Sequence, residues 1–99
     1  MYELVFTLES DRQMRHLDVS PQFRAETKQV KKALGYLTIN PRHPSLRMHP
    51  YRSLESPYNP AEKVFEAYAQ NNTPGAYRIF WCYGPRKKQI TVLAITSHS

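Results

Sequence analysis

Ala76-Tyr77-Arg78-Ile79-Phe80-Trp81-Cys82-Tyr83 is a run of β-formers closed by Gly84-Pro85. Successive side chains of a strand point to opposite faces, so Tyr77, Ile79, Trp81 and Tyr83 share one face and Arg78, Phe80 and Cys82 the other. Turn signals bracket the run: Gln70-Asn71-Asn72-Thr73-Pro74-Gly75 before it and Gly84-Pro85-Arg86-Lys87-Lys88 after it. Beyond those turns lie two further strand-like stretches, Val64 to Ala69 and Gln89 to Ser97. Short turns of this kind join antiparallel neighbours, so the C-terminal half reads as strands linked by hairpins. Arginine is rarely buried unless paired, so Arg78 in mid-strand requires either a carboxylate partner, for which Glu66 on the preceding strand is placed, or a functional role.

The N-terminal half has a different period. Tyr2 to Thr7 alternates and reads as a first strand; Glu9 to Leu17 reads as a short helix. Ser20-Pro21 signals the start of the next helix, with Ser20 as N-cap and Pro21 at the first helical position. Phe23, Thr27, Val30, Leu34 and Leu37 follow at helical spacing on one face, while Arg24, Lys28, Lys31 and Lys32 lie on the others as a solvated surface. Asn40-Pro41 closes the element. The expected fold is α+β: two N-terminal helices packed on one face of a mostly antiparallel, twisted sheet of four to five strands, a single domain over residues 1–99.

Between the halves, Asn40 to Arg52 reads N-P-R-H-P-S-L-R-M-H-P-Y-R, with Arg42, His43, Arg47, His49 and Arg52 and no acid. Its prolines stiffen the backbone between the cations. Ser45 to His49 reads as a short strand, and Ser53 to Glu62, with Pro57, Asn59 and Pro60, as an exposed connection.

The chain has 99 residues and a formal net charge of +6, which points to nucleic acid or an acidic protein as partner. The lone Cys82 excludes an internal disulfide and fits a reducing cytoplasm, the expected location. The first residues lack the basic and apolar regions of a secretory signal, and no segment approaches the ~20 apolar residues of a membrane span. One Cys and no H-x-x-x-H spacing argue against a metal site, and no cofactor is expected.

Taken together, the first strand, the helical hairpin, N-P-R-H-P-S-L-R-M-H (40–49), V-F-E-A-Y (64–68), Y-R-I-F-W (77–81) and T-V-L-A-I-T-S-H (91–98) resemble the RelE/ParE superfamily of bacterial toxins. The resemblance covers nearly the whole chain and implies a toxin held inactive by a cognate antitoxin. In RelE-like members it implies metal-independent cleavage of mRNA on the ribosome, with the ribose 2′-OH as nucleophile; in ParE-like members, inhibition of DNA gyrase without catalysis. An inactivated relative that only binds is a further alternative. The resemblance matches the family's active-site arginine to Arg78, the basic residue of the S-L-K/R motif to Arg47 and the closing histidine to His98. The family often continues past that histidine with further basic or tyrosine residues, and this sequence runs only to Ser99, so any catalytic group carried by such a tail is expected to be missing.

RNA cleavage of this kind needs a base near the 2′-OH, cations on the developing phosphorane charge and an acid for the departing 5′-oxygen. Histidine suits the proton steps. The expected catalytic residues are Arg78, His98 and His49. The planar fork of arginine meets phosphate oxygens bidentately, so Arg47, Arg52 and Arg42, with Arg86, Lys87 and Lys88 of the basic turn, are the expected phosphate contacts. Tyr68 and Phe80 are candidates for base stacking; Trp81 fits the core better. His16 and His43 are expected on the surface.

Overall fold

The computed structural model describes residues 1–98. The first helix, α1 (Leu8–Val19), is capped by Thr7, whose Oγ1 accepts the Ser10 N–H at 3.1 Å. Glu9 and Asp11 in its first turn complement the positive end of the helix dipole. Ser10 is buried and donates its hydroxyl to the Val92 carbonyl at 2.7 Å, tying the start of α1 to the sheet.

Ser20 does not cap the second helix. Its Oγ donates to the His16 carbonyl at 2.6 Å and its N–H to Leu17 O at 3.3 Å, so it closes α1 instead. The two helices nearly abut, and the hydroxyl is taken by a carbonyl the first helix leaves free. A 3-10 turn at Pro21–Phe23 then leads into α2 (Arg24–Ile39). Val30, Ala33, Leu34 and Leu37 are its buried residues, as the spacing from Phe23 requires; Lys28, Lys31 and Lys32 face solvent.

The strands are β1 (Glu3–Phe6), β2 (His49–Pro50), β3 (Phe65–Tyr68), β4 (Tyr77–Tyr83) and β5 (Gln89–Ser97), arranged β1-β5-β4-β3-β2. Only β1 and β5 run parallel; the other three pairings are antiparallel. The register places Ala67, Ile79 and Ile95 side by side, and Ile79 and Trp81 join Val30, Leu34 and Leu37 in one core beneath the helices. A bulge beside Phe80/Trp81 puts Ala94 opposite Phe80 and Val92 opposite Trp81, so Leu93 is the extra residue of β5. Among the described residues no helix is long and apolar enough to cross a membrane.

Two segments differ from the sequence expectation. Ser45 to His49 is not a strand: Pro44–Leu46 forms a 3-10 turn, and only His49–Pro50 pairs with β3. Pro44 at the head of the turn, the His43 Nδ1 accepting the Ser45 N–H at 3.1 Å and full burial of Leu46 favour the turn over extension. Arg47 ends it in the left-handed region, φ 48°. The 53–62 connection, rich in proline and exposed along most of its length, nevertheless sends two residues onto the sheet face opposite the helices. The Tyr58 hydroxyl lies 2.8 Å from Thr91 Oγ1, and buried Ser56 sits near Cys82, its Oγ accepting the Tyr58 N–H at 3.2 Å. Tyr51 adds its ring 4.7 Å from that of Phe80.

Candidate functional site at the open end of the sheet

A cleft of about 560 Å³ opens at the end of the sheet where β3 and β5 finish and β4 begins. Arg47, His49, Tyr68 and His98 line it together with the Gln70–Ala76 turn. Each cation arrives by a different local device. Arg47 is turned outward by its left-handed backbone, His49 stands on the short edge strand β2, and His98 follows the end of β5, its N–H donated to Ala76 O at 2.8 Å. Arg47, His49 and His98, three of the site residues expected from the sequence, are therefore brought together here.

Arg78 is close by but does not line the cleft. It sits on the same face as Glu66 and Tyr68, and its Nη1 donates to Glu66 Oε2. Its guanidinium lies over the Phe80 ring, 5.2 Å from the centroid. Glu66 is almost fully buried, with a side chain only 4% exposed, and its second oxygen, Oε1, is 2.7 Å from His49 Nε2. A single carboxylate thus joins Arg78 on the inside to His49 at the cleft, burying a charge only where it is paired. The other ring nitrogen, His49 Nδ1, is 3.2 Å from the Arg47 carbonyl. Both of its neighbours are acceptors, so the ring satisfies both contacts only when each nitrogen carries a hydrogen. Glu66 entered the sequence reading only as a partner for Arg78; its spacing to His49 depends on the β2–β3 pairing, which local pattern does not show.

No protein-family model matches the sequence, and no curated protein sequence matches it either. Solved structures do. The YoeB/ParE toxin from Agrobacterium tumefaciens superposes with a TM-score of 0.69 at 13% identity, over 100% of both chains. The archaeal RelE-RelB complex from Pyrococcus horikoshii OT3 matches with a TM-score of 0.64 at 13% identity, over 97% of this chain and 93% of that one. The chain has the RelE/ParE toxin fold.

Within the RelE/ParE fold, the remaining cations of the sequence reading lie elsewhere. Arg52 lines a separate cavity of about 350 Å³ together with Glu55 and Glu62. Arg42 lies beside the Tyr83 hydroxyl, and Arg86, Lys87 and Lys88 occupy the β4–β5 turn. That turn is at the other end of a seven-residue strand from the cleft, about 20 Å away at 3.3 Å per residue. The Gln70–Gly75 turn, by contrast, was read only as a connection and supplies much of the cleft wall. The signal was there: a hairpin turn before Tyr77 must sit beside the residue that follows β5.

Proposed function

We propose that this chain is the toxin of a toxin–antitoxin pair and cuts mRNA on the ribosome in the cleft described above. The observation that carries the reading is one wall: Arg47, His49 and His98 share a cavity, and His49 is held there by a buried carboxylate. Two imidazoles and a guanidinium can supply the base, the acid and the cation that a 2′-OH displacement at phosphorus requires. In this reading His98 accepts the 2′-hydroxyl proton as the oxygen attacks the adjacent phosphorus. His49 gives a proton to the 5′-oxygen as the P–O bond breaks, and Arg47 meets the charge on the non-bridging oxygens. The products are a 2′,3′-cyclic phosphate and a free 5′-hydroxyl, with the proton balance closed between the two histidines.

Arg78 acts through its neighbours. It neutralises Glu66, and Glu66 orients the His49 ring and balances its charge when doubly protonated, as an aspartate does for a catalytic histidine. Tyr68, whose ring is 5.8 Å from that of His49, offers a face for the flanking base. An antitoxin as partner follows from the same reading: the Pyrococcus relative of this fold was solved as a RelE-RelB complex, and a chain of charge +6 suits an acidic wrapping segment.

The test is in vitro translation with protein stripped of metal by EDTA and freed of the chelator before mixing. Wild type should cut mRNA within translated codons and leave cyclic-phosphate ends. His49→Gln should lower the rate by about 10²–10⁴, the usual worth of a positioned acid or base, and Arg47→Gln by about 10²–10³. Intact mRNA alongside inhibited gyrase supercoiling would replace this reading with the gyrase-directed one.

A further inference from the structure

Four of the cations left outside the cleft, Arg42, Arg86, Lys87 and Lys88, form a group of their own. Arg86, Lys87 and Lys88 are exposed in the β4–β5 turn, and none of them is in an ion pair among the described residues. Other cations do have carboxylate partners: Arg15 with Asp11, Lys31 with Asp18 and Arg78 with Glu66. The turn is built as a fixed platform. Gly84 N–H donates to Gln89 O at 2.9 Å, Gln89 N–H to Arg86 O at 3.1 Å and Arg86 N–H to Gln89 Oε1 at 3.1 Å. Lys88 takes φ 65°, which directs its side chain back over the sheet end, where Nζ stands 4.9 Å from the centre of the Tyr2 ring. Tyr83 lies 5.9 Å from Tyr2 and remains 39% exposed, with Arg42 at its hydroxyl. Glu3 is close, but its Oε1 already accepts a hydrogen bond from Gln89 Nε2 at 2.6 Å.

We infer that this end of the sheet is a second RNA contact surface, separate from the cleft, which grips the phosphate backbone through Arg42, Arg86, Lys87 and Lys88 about 20 Å from the cutting site. The inference rests on the reading of the chain as a protein that acts on RNA. Unpaired cations on a hydrogen-bonded turn meet a polyanion with their backbone already ordered, so only their side chains lose freedom. The exposed part of the Tyr83 ring beside them offers a surface to an unpaired base, which an acidic peptide would not use. A strand or structured RNA reaching both ends of the sheet is then held at two points, and the cleft need not supply the affinity alone.

The experiment compares RNA of two lengths by fluorescence anisotropy over a range of salt. A single strand of about 20 nucleotides, at roughly 3.4 Å each, bridges both ends; a trinucleotide does not. The proteins are the full chain, an Arg86→Gln/Lys87→Gln/Lys88→Gln variant and an Arg47→Gln variant. We expect the triple variant to bind the long strand at least about tenfold more weakly. Its slope of log affinity against log salt should fall by about 2, since each lost phosphate contact on a single strand is worth about 0.7. Trinucleotide binding should be unchanged in that variant and lost in Arg47→Gln. Unaltered long-strand affinity in the triple variant would overturn the inference. So would an unaltered RNA affinity combined with loss of binding to poly-glutamate, which would assign the surface to an acidic protein. A wild type that binds the long strand through the turn but ignores the trinucleotide would sustain this surface and sink the cleft.

Discussion

At the turn end of the sheet's second face, Tyr51 and Tyr58 lie across Phe80 and Thr91, and Cys82 is fully buried. At the opposite end of the same face the outward residues are Glu66, Arg78 and Tyr68, and what adjoins them is the cleft. One half is packed in the ordinary way, with apolar side chains covered and the Tyr58 and Thr91 hydroxyls paired. The other half retains a carboxylate–guanidinium pair almost out of water. Exchanging such a pair for apolar residues of similar volume is often neutral or stabilising, so the pair is not accounted for by stability alone. The contrast sets the two halves apart without reference to any relative.

The contrast is most sharply challenged at Glu66. Glu66→Ala leaves Arg78 buried without its partner and should cost about 3–5 kcal/mol of stability by urea unfolding, with cleavage lost. Glu66→Leu combined with Arg78→Leu should recover stability to within about 1 kcal/mol of wild type, or exceed it, and still not cut RNA. A double variant that cleaves would show that the pair serves the fold alone.

On the covered half the outcomes should reverse, with stability falling and cleavage kept. A Cβ at Gly84 would lie 3.2 Å from the Tyr58 ring on a backbone at φ +113°, so Gly84→Ala should cost about 1–3 kcal/mol. Tyr58→Phe removes the hydroxyl that meets Thr91, which itself donates to Gly84 O at 2.9 Å; the expected loss is about 1 kcal/mol. Reduced cleavage at unchanged RNA affinity in either variant would join the two halves into one functional unit.

The smallest effect is alkaline. Burial pushes the Cys82 thiol up from 9.0, with a Ser56 hydrogen bond opposing it more weakly. Burial likewise raises Tyr77, helped by the Glu26 charge, and Tyr83, helped by Tyr2 and opposed by Arg42, from 10.0. In each case the unfolded chain gives up its proton first as pH rises. Stability from these groups is complete below about pH 9 and declines above it. Urea midpoints measured from pH 8 to 11 should fall, and Cys82→Ala should delay the onset. A flat profile would contradict the burial of the covered half.

Much of this was legible in the chain itself. Val30, Leu34 and Leu37 at helical spacing, and Ile79 and Trp81 at strand spacing, identified the two surfaces that meet in the core. Arg78 in mid-strand called for either a paired acid or a functional role, and Glu66 is the acid it meets. What local pattern could not carry was anything set by long-range pairing. The alternation of Ser45, Arg47 and His49 suggested a strand, but Leu46 is drawn into the core and a 3-10 turn results. Prolines at 57 and 60 said that the connection was irregular; they could not say that Tyr58 would reach the sheet. The basic residues looked like one site in sequence because charge says nothing of distance, and a seven-residue strand separates them.

The parallel pairing of β1 with β5 has a consequence for the order of events in the cell. Every residue of β1 takes its sheet partner from Gln89 to Val92, more than eighty positions later in the chain. Contacts so distant in sequence close late. While the chain is being made, α1 and α2 leave the ribosome before the strand that anchors α1 through Ser10 has been synthesised. His98 follows later still, and the cleft has no second imidazole until it arrives. A growing polypeptide therefore lacks a complete cleft for as long as its final strand is unfinished. Throughout that interval the helices are open to other molecules before the cleft has formed.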